Sequence, residues 1–266
     1  MQEYIHGYEE DETTRLTDQA TTLAELLHHD TSFPPNARVL EAGCGTGAQT
    51  VILARSSPEA AILSIDISET SVREARANLE SLGITNVSFA RASLFDLPHP
   101  DASFDHAFVC FVLEHVPEPL AALRCLKRIL KPGGTLTIIE GDHGSAFFYP
   151  RSAFADRAIQ CQIDLQAVSG GNALIGRELY PLLTKAGFSS VRVSPRMVYV
   201  DASKPHLVEG FIKKTFTAMI QGIRERALES GMIEGSDFDA GVRDLNRTAE
   251  TDGVFCYTFF KGVARA

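Results

Sequence analysis

The sequence has no apolar run long enough to cross a bilayer. Its start, Met1-Gln2-Glu3-Tyr4, has neither the positively charged nor the apolar segment of a secretory signal. Lys and Arg are scattered without a basic stripe, and the formal net charge is -9. Because binding to a phosphate backbone needs clustered cations, we expect no nucleic-acid partner. Because the sequence has neither a long apolar run nor a secretory signal, we expect no membrane partner and a soluble, cytoplasmic protein.

The cysteines are few and lie far apart, with no Cys-x-x-Cys pair. They are odd in number: Cys44, Cys110, Cys125, Cys161 and Cys256. Four of them stand in apolar or glycine contexts, where a reduced, buried thiol is the ordinary outcome. The sequence therefore predicts neither a disulfide nor a metal site.

Residues 39–47, Val-Leu-Glu-Ala-Gly-Cys-Gly-Thr-Gly, carry an apolar strand into a turn with three alternate glycines. Without a Cβ at Gly43, Gly45 and Gly47, the backbone bends sharply and approaches a ligand closely. Asp66 ends the next apolar run, where an acid accepts hydrogen bonds from ribose hydroxyls. The third glycine comes one residue early for the dinucleotide-binding pattern Gly-x-Gly-x-x-Gly, which weakens that alternative. No Lys-Ser or Lys-Thr follows it, which weakens the alternative of a phosphate-binding loop.

Apolar strands alternate with amphipathic helices from residue 36 onward, which is typical of an α/β fold with a doubly wound parallel sheet. The predicted strands cover 37–42, 61–66, 86–91, 104–111, 134–141, 191–193 and 255–260. The predicted helices cover 47–57, 69–82, 117–130, 150–168 and 176–186, with further helical spacing over 205–230 and 236–250. At 266 residues and 44% hydrophobic composition, the chain buries one core with helical additions.

Four segments in order resemble the class I S-adenosylmethionine-dependent methyltransferases. They are Glu41-x-Gly43-Cys44-Gly45-Thr46-Gly47, Asp66, Leu97-Pro98 with Ser103-Phe104-Asp105, and Leu130-Lys131-Pro132-Gly133-Gly134-Thr135-Leu136. The resemblance spans roughly residues 36–141 and is closest to the methyltransferase type 11 group, which includes the ubiquinone and menaquinone biosynthetic C-methyltransferases. It implies a Rossmann-like, mostly parallel seven-stranded sheet with an antiparallel last strand and helices on both faces. It also implies S-adenosylmethionine as cofactor and S-adenosylhomocysteine as product.

The resemblance divides the chain into a core of residues 36–200 and 254–266, a helical lid of residues 1–35, and a helical insertion of residues 201–253. The plain fold has a short hairpin where this insertion lies, so we expect the added helices to cover the pocket. An apolar stripe in the insertion is expected to pack against the chain's own sheet, with monomer and homodimer both left open: Phe211, Ile212, Phe216, Met219, Ile220 and Ile223.

For the cofactor, the resemblance implies that the glycine turn lies beside the methionine part and that Asp66 holds the ribose. Adenine is expected between Ile67 and Ser93 with Leu94, although the family often has Asp at the position of Ser93. The remaining expected cofactor contacts are Glu41 and Cys44 at the turn, Cys110 and Phe111 as the far wall of the cleft, His115 beside it, and Tyr8 with Arg15 near the cofactor carboxylate.

For the acceptor, the segment Glu140-Gly141-Asp142-His143-Gly144-Ser145 follows the fifth strand, where a proton acceptor or an anchor is useful. His143 or His6 is the expected general base if one is needed. The expected acceptor contacts are Tyr4, Glu140, Asp142, Arg151, Gln166 and Tyr199, of which Tyr199 is explained equally well by core packing.

Methyl transfer from a sulfonium is an in-line displacement, so the protein needs to align the reactants, exclude water and remove a proton where the acceptor carries one. We expect transfer to a small molecule at oxygen, nitrogen or carbon. A binding or sensing protein that keeps the cofactor site without transfer is the alternative. A protein or RNA methyltransferase would predict an open basic groove, against which the acidic composition and the insertion argue.

Overall fold

The computed structural model describes residues 10–266, with the backbone alone for residues 10–14, 16 and 17. Tyr4, His6 and Tyr8 lie outside the described residues. One sheet contains seven strands in the order β3-β2-β1-β4-β5-β7-β6. The strands are β1 (Arg38–Ala42), β2 (Ala61–Asp66), β3 (Val87–Arg91), β4 (Phe104–Cys110), β5 (Leu130–Tyr149), β6 (Ser189–Val200) and β7 (Val254–Arg265).

The strands from β3 to β5 in this order are parallel to their neighbours. β7 runs antiparallel to β5, because Gly133 bonds to Ala266 at one end and Ser145 bonds to Thr258 nearer the other. The predicted Rossmann-like sheet with an antiparallel last strand is thereby confirmed. Such a sheet brings the carboxyl ends of β1, β2 and β4 to one edge, where ligands of this fold bind.

The helices follow the predicted alternation. They are α1 (Glu10–His28), α2 (Ala48–Ser56), α3 (Glu69–Ser81), α4 (Pro119–Ile129), α5 (Ala153–Val168), α6 (Leu179–Lys185), α7 (Pro205–Leu207), α8 (Ala218–Gly222), α9 (Arg224–Glu229) and α10 (Gly235–Arg247). The Ser68 hydroxyl caps α3 by accepting a hydrogen bond from the Ser71 amide at 3.2 Å. Within residues 10–266, no helix combines the length and apolar character needed to span a membrane.

Several elements differ from the sequence prediction. β5 begins at Leu130 instead of residue 134, because Phe104 pairs with Leu130 and His106 with Thr135, and the irregular register accommodates the glycines between them. β5 also continues to Tyr149, so residues 140–145, which were predicted to follow it, lie within the strand. β6 and β7 are longer than the predicted 191–193 and 255–260. The helical stretch 205–230 is broken, and a ten-residue π-helix, Val208–Thr217, follows the short α7.

The chain forms two compact units. The glycine-turn unit comprises Leu27–Glu140, Ile175–Pro195 and Phe260–Ala266. The aromatic unit comprises, within the described residues, 10–26, Gly141–Leu174 and Arg196–Phe259. The core of the glycine-turn unit is aliphatic, with Leu40, Val109 and Ile138 from its strands at its centre.

The core of the aromatic unit joins the π-helix to β7. Phe211 and Phe216 pack against the rings of Phe255 and Tyr257, with ring centroids 4.7 to 6.0 Å apart. The whole predicted apolar stripe from Phe211 to Ile223 is buried within the chain. Phe211 and Phe216 of this stripe pack against the chain's own sheet, as predicted.

Candidate active site

The glycine turn after β1 is held against the end of β2. The amides of Gly43 and Cys44 both donate to the Ile65 carbonyl, at 2.8 and 3.0 Å, and the Gly47 amide donates to the Cys44 carbonyl at 2.9 Å. All three glycines have left-handed backbone angles, with φ of +78°, +52° and +85° at Gly43, Gly45 and Gly47. The alternate glycines are therefore required by the backbone of this turn.

Asp66 connects the turn to the start of α3. Its Oδ2 accepts the Gly45 amide at 2.9 Å and its Oδ1 accepts the Ser68 amide at 2.9 Å. A carboxylate has about four lone-pair sites, so two remain to accept further donors, and the side chain is half-buried. The adjacent Ile67 is 59% exposed and offers apolar surface at the same edge. This edge thus offers two acceptor positions beside an apolar side chain, and the ribose contact of Asp66 stays a prediction.

Glu41 lies inside the sheet. Its carboxyl is 2% exposed and accepts a hydrogen bond from the Ser64 hydroxyl at 2.6 Å. Burial raises the pKa of Glu41 to about 7, against the opposing effect of the Ser64 hydrogen bond. Contact of Glu41 with a cofactor stays a prediction, whereas its bond to β2 is part of the fold. The neighbouring Cys44 thiol is buried, which raises its pKa.

The loop after β3 contains Ser93 and Leu94, both half-buried. The Ser93 hydroxyl accepts the Phe95 amide at 3.2 Å, and the Ser93 carbonyl accepts the Asp96 amide at 3.1 Å. These bonds close a tight turn beside the partly exposed ring of Phe95. The predicted adenine contacts of Ser93 and Leu94 stay predictions.

The segment after β4 is fixed by a buried acid from β5. Glu140 has no exposed surface, and its carboxylate accepts the amides of Val112, Leu113 and Glu114 at 3.1, 2.7 and 3.4 Å. Phe111 precedes them with a φ of +58° and donates its amide to Ile139 at 2.9 Å. Glu140 thus caps the short 3₁₀ helix Leu113–His115. An acceptor contact was predicted for Glu140, and no local sequence pattern indicates the distant amides that are its partners.

Two acids meet at this cap. Burial and the Glu114 carboxylate raise the pKa of Glu140 to about 8, although the backbone amides act to lower it. The imidazole of His115 lies 3.6 Å from Glu114, and Cys110 is buried at the end of β4. Burial raises the pKa of the Cys110 thiol well above its usual value. A protonated thiol can line the wall of a cleft, but it is a poor nucleophile.

His143 lies in the aromatic unit, among rings. Its Nδ1 is 3.0 Å from the Tyr257 hydroxyl, and its ring is 6.4 Å from Phe216 in an edge-on arrangement. His143 is 8% exposed and Tyr257 2% exposed. The His143 amide donates to Ala173 at 2.9 Å, which anchors the backbone. The imidazole is thus held beside two aromatic rings.

The other predicted acceptor contacts differ in exposure. Asp142 is buried, and its Oδ1 accepts the Gly144 amide at 3.1 Å. Gln166 is buried and accepts a hydrogen bond from Gln162 at 3.3 Å. The Arg151 side chain is 87% exposed and lies 3.6 Å from Asp156.

Two further predicted contacts lie on the surface or at the start of the chain. Tyr199 is 42% exposed with the Lys204 ammonium 4.9 Å from its ring centroid. Arg15 on α1 donates to Gln19 at 3.4 Å. Among residues 10–266, no group of three or more His, Cys, Asp or Glu side chains is placed to hold a metal ion. The roles of Tyr199 and Arg15 in binding stay predictions.

The contact of Tyr257 with His143 was not predicted, because core packing explains a tyrosine on the last strand equally well. The available signal was weak: Tyr257 alternates with Phe255 and Phe259 along the last strand, so a hydroxyl falls on an otherwise apolar face. Only the long-range meeting of β5 and β7 brings that hydroxyl to His143, across 114 residues of sequence.

Comparison with known proteins gives one family. The sequence profile of a family described as "Methyltransferase domain" matches residues 34–187. The 27-O-demethylrifamycin SV methyltransferase of Amycolatopsis mediterranei is 32% identical over 236 residues, which cover 88% of this chain and 80% of that protein.

Two solved structures share the fold. Phosphoethanolamine N-methyltransferase 2 of Haemonchus contortus, solved with phosphomonomethylethanolamine and S-adenosylhomocysteine, has a TM-score of 0.59 at 15% identity, over 97% of this chain and 58% of that chain. The [4+2]-cyclase SpnF has a TM-score of 0.55 at 23% identity, over 94% of this chain and 79% of that chain. At these identities the likeness concerns the fold.

Proposed function

This chain belongs to the family of S-adenosylmethionine-dependent methyltransferases, and we propose that it methylates a hydroxyl oxygen of an apolar small molecule. The observation that carries the choice of acceptor is His143, a buried imidazole oriented by Tyr257 and flanked by Phe216. A base in apolar surroundings suits a substrate that is itself apolar and must lose a proton to react.

The residues of the glycine-turn unit fit the cofactor. When bound, S-adenosylmethionine supplies a methyl group on a positively charged sulfur. The two remaining acceptor sites of Asp66 suit ribose hydroxyls, and the exposed Ile67 suits one face of adenine. A Cβ at Gly45 would meet no atom within 4 Å, so this glycine leaves open space at the turn. We propose that this space receives the methionine part.

Oxygen and nitrogen acceptors differ in whether a base must remove a proton before methyl transfer. A neutral amine already has a nucleophilic lone pair, whereas an alcohol or phenol becomes a strong nucleophile only when its proton is removed. An imidazole is the side chain best suited to accept a proton near neutral pH. His143 therefore favours oxygen over nitrogen. The name of the Amycolatopsis relative, which specifies a 27-O-demethylated compound, supports the same acceptor chemistry.

We assign Glu140 to positioning and not to the acceptor. Its carboxylate already accepts three backbone amides and has no exposed surface. Asp142 and Gln166 remain candidate contacts on the acceptor side, because both lie in the same unit as His143. His6 remains the alternative base.

Calorimetric titration with S-adenosylhomocysteine tests the cofactor half. We expect micromolar binding by the native protein and a loss of at least tenfold in Asp66→Ala. The matched control is Asp96→Ala, an exposed acid on the neighbouring loop, which should bind like the native protein. Native protein that does not bind S-adenosylhomocysteine would overturn the proposal.

Screening apolar phenols, alcohols and amines for formation of S-adenosylhomocysteine tests the acceptor half. Turnover with hydroxyl compounds that falls at least a hundredfold in His143→Gln, with cofactor affinity unchanged, is the expected result. Turnover confined to amines, or turnover with hydroxyl compounds that survives the substitution, would contradict the assigned acceptor and base.

A second candidate is a protein that uses the fold without methyl transfer. Its supporting observation is the similarity to SpnF, whose name states a cyclisation. This candidate predicts cofactor binding without production of S-adenosylhomocysteine in any acceptor mixture. The same two experiments therefore separate the two candidates.

A further inference from the structure

The segment after β4 touches the glycine turn through Val112. A Cβ at position 43 would lie 2.3 Å and 3.1 Å from the two methyl carbons of Val112, and 3.3 Å from its Cβ. The Val112 side chain therefore fills the space beside the Gly43 backbone. Because interiors are close-packed, the position of Val112 limits where the first glycine of the turn can lie.

Val112 is itself held by β5. Its amide donates to the Glu140 Oε1 at 3.1 Å, and the Leu113 amide donates to the same oxygen at 2.7 Å. The preceding Phe111 amide donates to the Ile139 carbonyl at 2.9 Å. Phe111 has a φ of +58°, a conformation that few residues other than glycine adopt unless the surrounding structure imposes it. Two consecutive residues of β5 therefore fix three consecutive amides of this segment.

The Glu140 carboxyl has no exposed surface, so its oxygen serves the protein's own amides. Removal of a buried acceptor is costly, because its donors are left without a partner away from water. We propose that Glu140 is a positioning residue for the cofactor: it holds Val112 against Gly43 and so keeps the glycine turn in the conformation that binds S-adenosylmethionine. This rests on the proposed assignment of the glycine turn to that cofactor.

Two substitutions at position 140 separate the acceptor oxygen from the bulk of the side chain. Gln keeps an oxygen that accepts the amides of Val112 and Leu113, whereas Leu has similar bulk and no acceptor. The longer bond from the Glu114 amide, at 3.4 Å, is lost in both. Calorimetry with S-adenosylhomocysteine, well below the Tm of each variant, should show affinity within about threefold of native in Glu140→Gln and at least a tenfold loss in Glu140→Leu.

A double-mutant cycle tests the route through Val112. Val112→Ala removes the methyl groups that contact Gly43 and should lower the affinity at least fivefold. In the Val112→Ala background, Glu140→Leu should add less than about a threefold further loss, because the contact that transmits its effect is already gone.

Ser57→Ala is the matched control, because it too removes a buried side-chain acceptor of a backbone amide. The Ser57 Oγ accepts the Phe33 amide at 2.9 Å, and Ser57 follows the end of α2 that lies away from the glycine turn. This variant should lower the Tm and leave the affinity for S-adenosylhomocysteine unchanged. A general loss of stability is thereby distinguished from a loss of positioning.

The Gly45 amide reports the turn without any ligand. Cys44-Gly45 is the only Cys-Gly pair in the sequence, so ¹³C at cysteine carbonyls and ¹⁵N at glycine select this one amide in an NMR spectrum. Its signal should shift in Glu140→Leu and in Val112→Ala, and should stay in place in Glu140→Gln and Ser57→Ala. Native protein that fails to bind S-adenosylhomocysteine removes the proposed function, whereas the ligand-free signal tests the coupling of Glu140 to the turn by itself.

Three results would each overturn the inference: an affinity of Glu140→Leu equal to that of the native protein or of Glu140→Gln, full multiplication of the two single losses in the double variant, or a Gly45 signal unchanged in Glu140→Leu. If Glu140→Leu does not fold, Val112→Ala carries the test. Unchanged affinity and an unchanged Gly45 signal in that variant would overturn the inference in the same way, and the expected loss and shift would support it.

Discussion

The three glycines of the turn serve different purposes, although all have left-handed backbone angles. A Cβ on Gly43 would lie 2.3 Å from a Val112 methyl group, and one on Gly47 would lie 3.0 Å from the Ala75 Cβ. A Cβ on Gly45 would meet no atom within 4 Å. Packing within the protein therefore requires the first and third glycines, whereas the second leaves space that a ligand can use.

Replacement of Gly45 by Ala should separate folding from binding. The cost to folding is the left-handed strain of a residue with a Cβ, about 1 kcal/mol. Urea unfolding should show the same loss in Gly83→Ala, because Gly83 also has a positive φ, of +66°, and open space around its Cβ. Calorimetry should show at least a tenfold loss of S-adenosylhomocysteine affinity in Gly45→Ala alone. Equal affinities of the two variants would contradict ligand approach at Gly45.

At the scale of elements, the π-helix Val208–Thr217 is the least expected part of the chain. π-helical turns are rare and are usually single turns, whereas this one contains ten residues. The Thr215 hydroxyl donates to the carbonyl of Gly210, five residues back, at 2.7 Å. The π-helix also carries Phe211 and Phe216 to Tyr257 and His143. Its geometry thus decides which rings surround the proposed base.

Close approach of α1 to the π-helix depends on Gly210. A Cβ there would lie 2.3 Å from the Thr22 hydroxyl oxygen, so Gly210→Ala should destabilise the protein by about 1 to 3 kcal/mol through overpacking. Thr22→Ala removes that oxygen and should recover part of the loss when the two changes are combined. Urea unfolding of the single and double variants measures the coupling.

Gly222→Ala is the matched control, because a Cβ at Gly222, the last residue of α8, would meet no atom within 4 Å. It should be neutral or slightly stabilising. Strict additivity of Gly210→Ala and Thr22→Ala would show that the contact is not the cause of the loss.

At the scale of the whole molecule, buried ionisable groups link stability to pH. The pKa of Glu41 is raised from 4.5 to about 7 by burial, and that of Glu140 from 4.5 to about 8 by burial and the Glu114 carboxylate. Their stabilising contribution is complete below pH 4.5 and is lost as the pH rises through these values, because the unfolded chain releases the protons first. Burial lowers the pKa of His28 from 6.5 to about 4, so His28 acts in the opposite direction at lower pH.

Between pH 6.5 and 8.5 the acids therefore dominate, and the Tm should fall. Glu140→Gln should reduce this fall, with its effect complete near pH 8, whereas the effect of Glu41→Gln should be complete near pH 7. The exposed Glu59→Gln is the control and should leave the slope unchanged. Differential scanning calorimetry across this interval measures all four proteins. A pH slope of Glu140→Gln equal to that of the native protein would show that Glu140 is ionised in the fold.

Local signals explain how much of the fold was predictable. Ser68 and Gly83 bound α3 as predicted, because a cap and a left-handed glycine act within a few residues. The full lengths of β5, β6 and β7 were not predicted, because strand length depends on pairing with distant strands. The π-helix was not predicted, because its apolar spacing over 205–230 also suits an α-helix.

The sequence by itself determined the glycine turn, the acid at the end of β2, the order of strands and helices, and the family, because each depends on backbone preferences or on residues close together in the chain. Only the tertiary structure decided the partners of the buried polar groups. Glu140 meets amides 26 to 28 residues away, and His143 meets the hydroxyl of Tyr257 across 114 residues. A buried polar atom takes whichever partner the packed strands bring to it, and no local pattern records that choice.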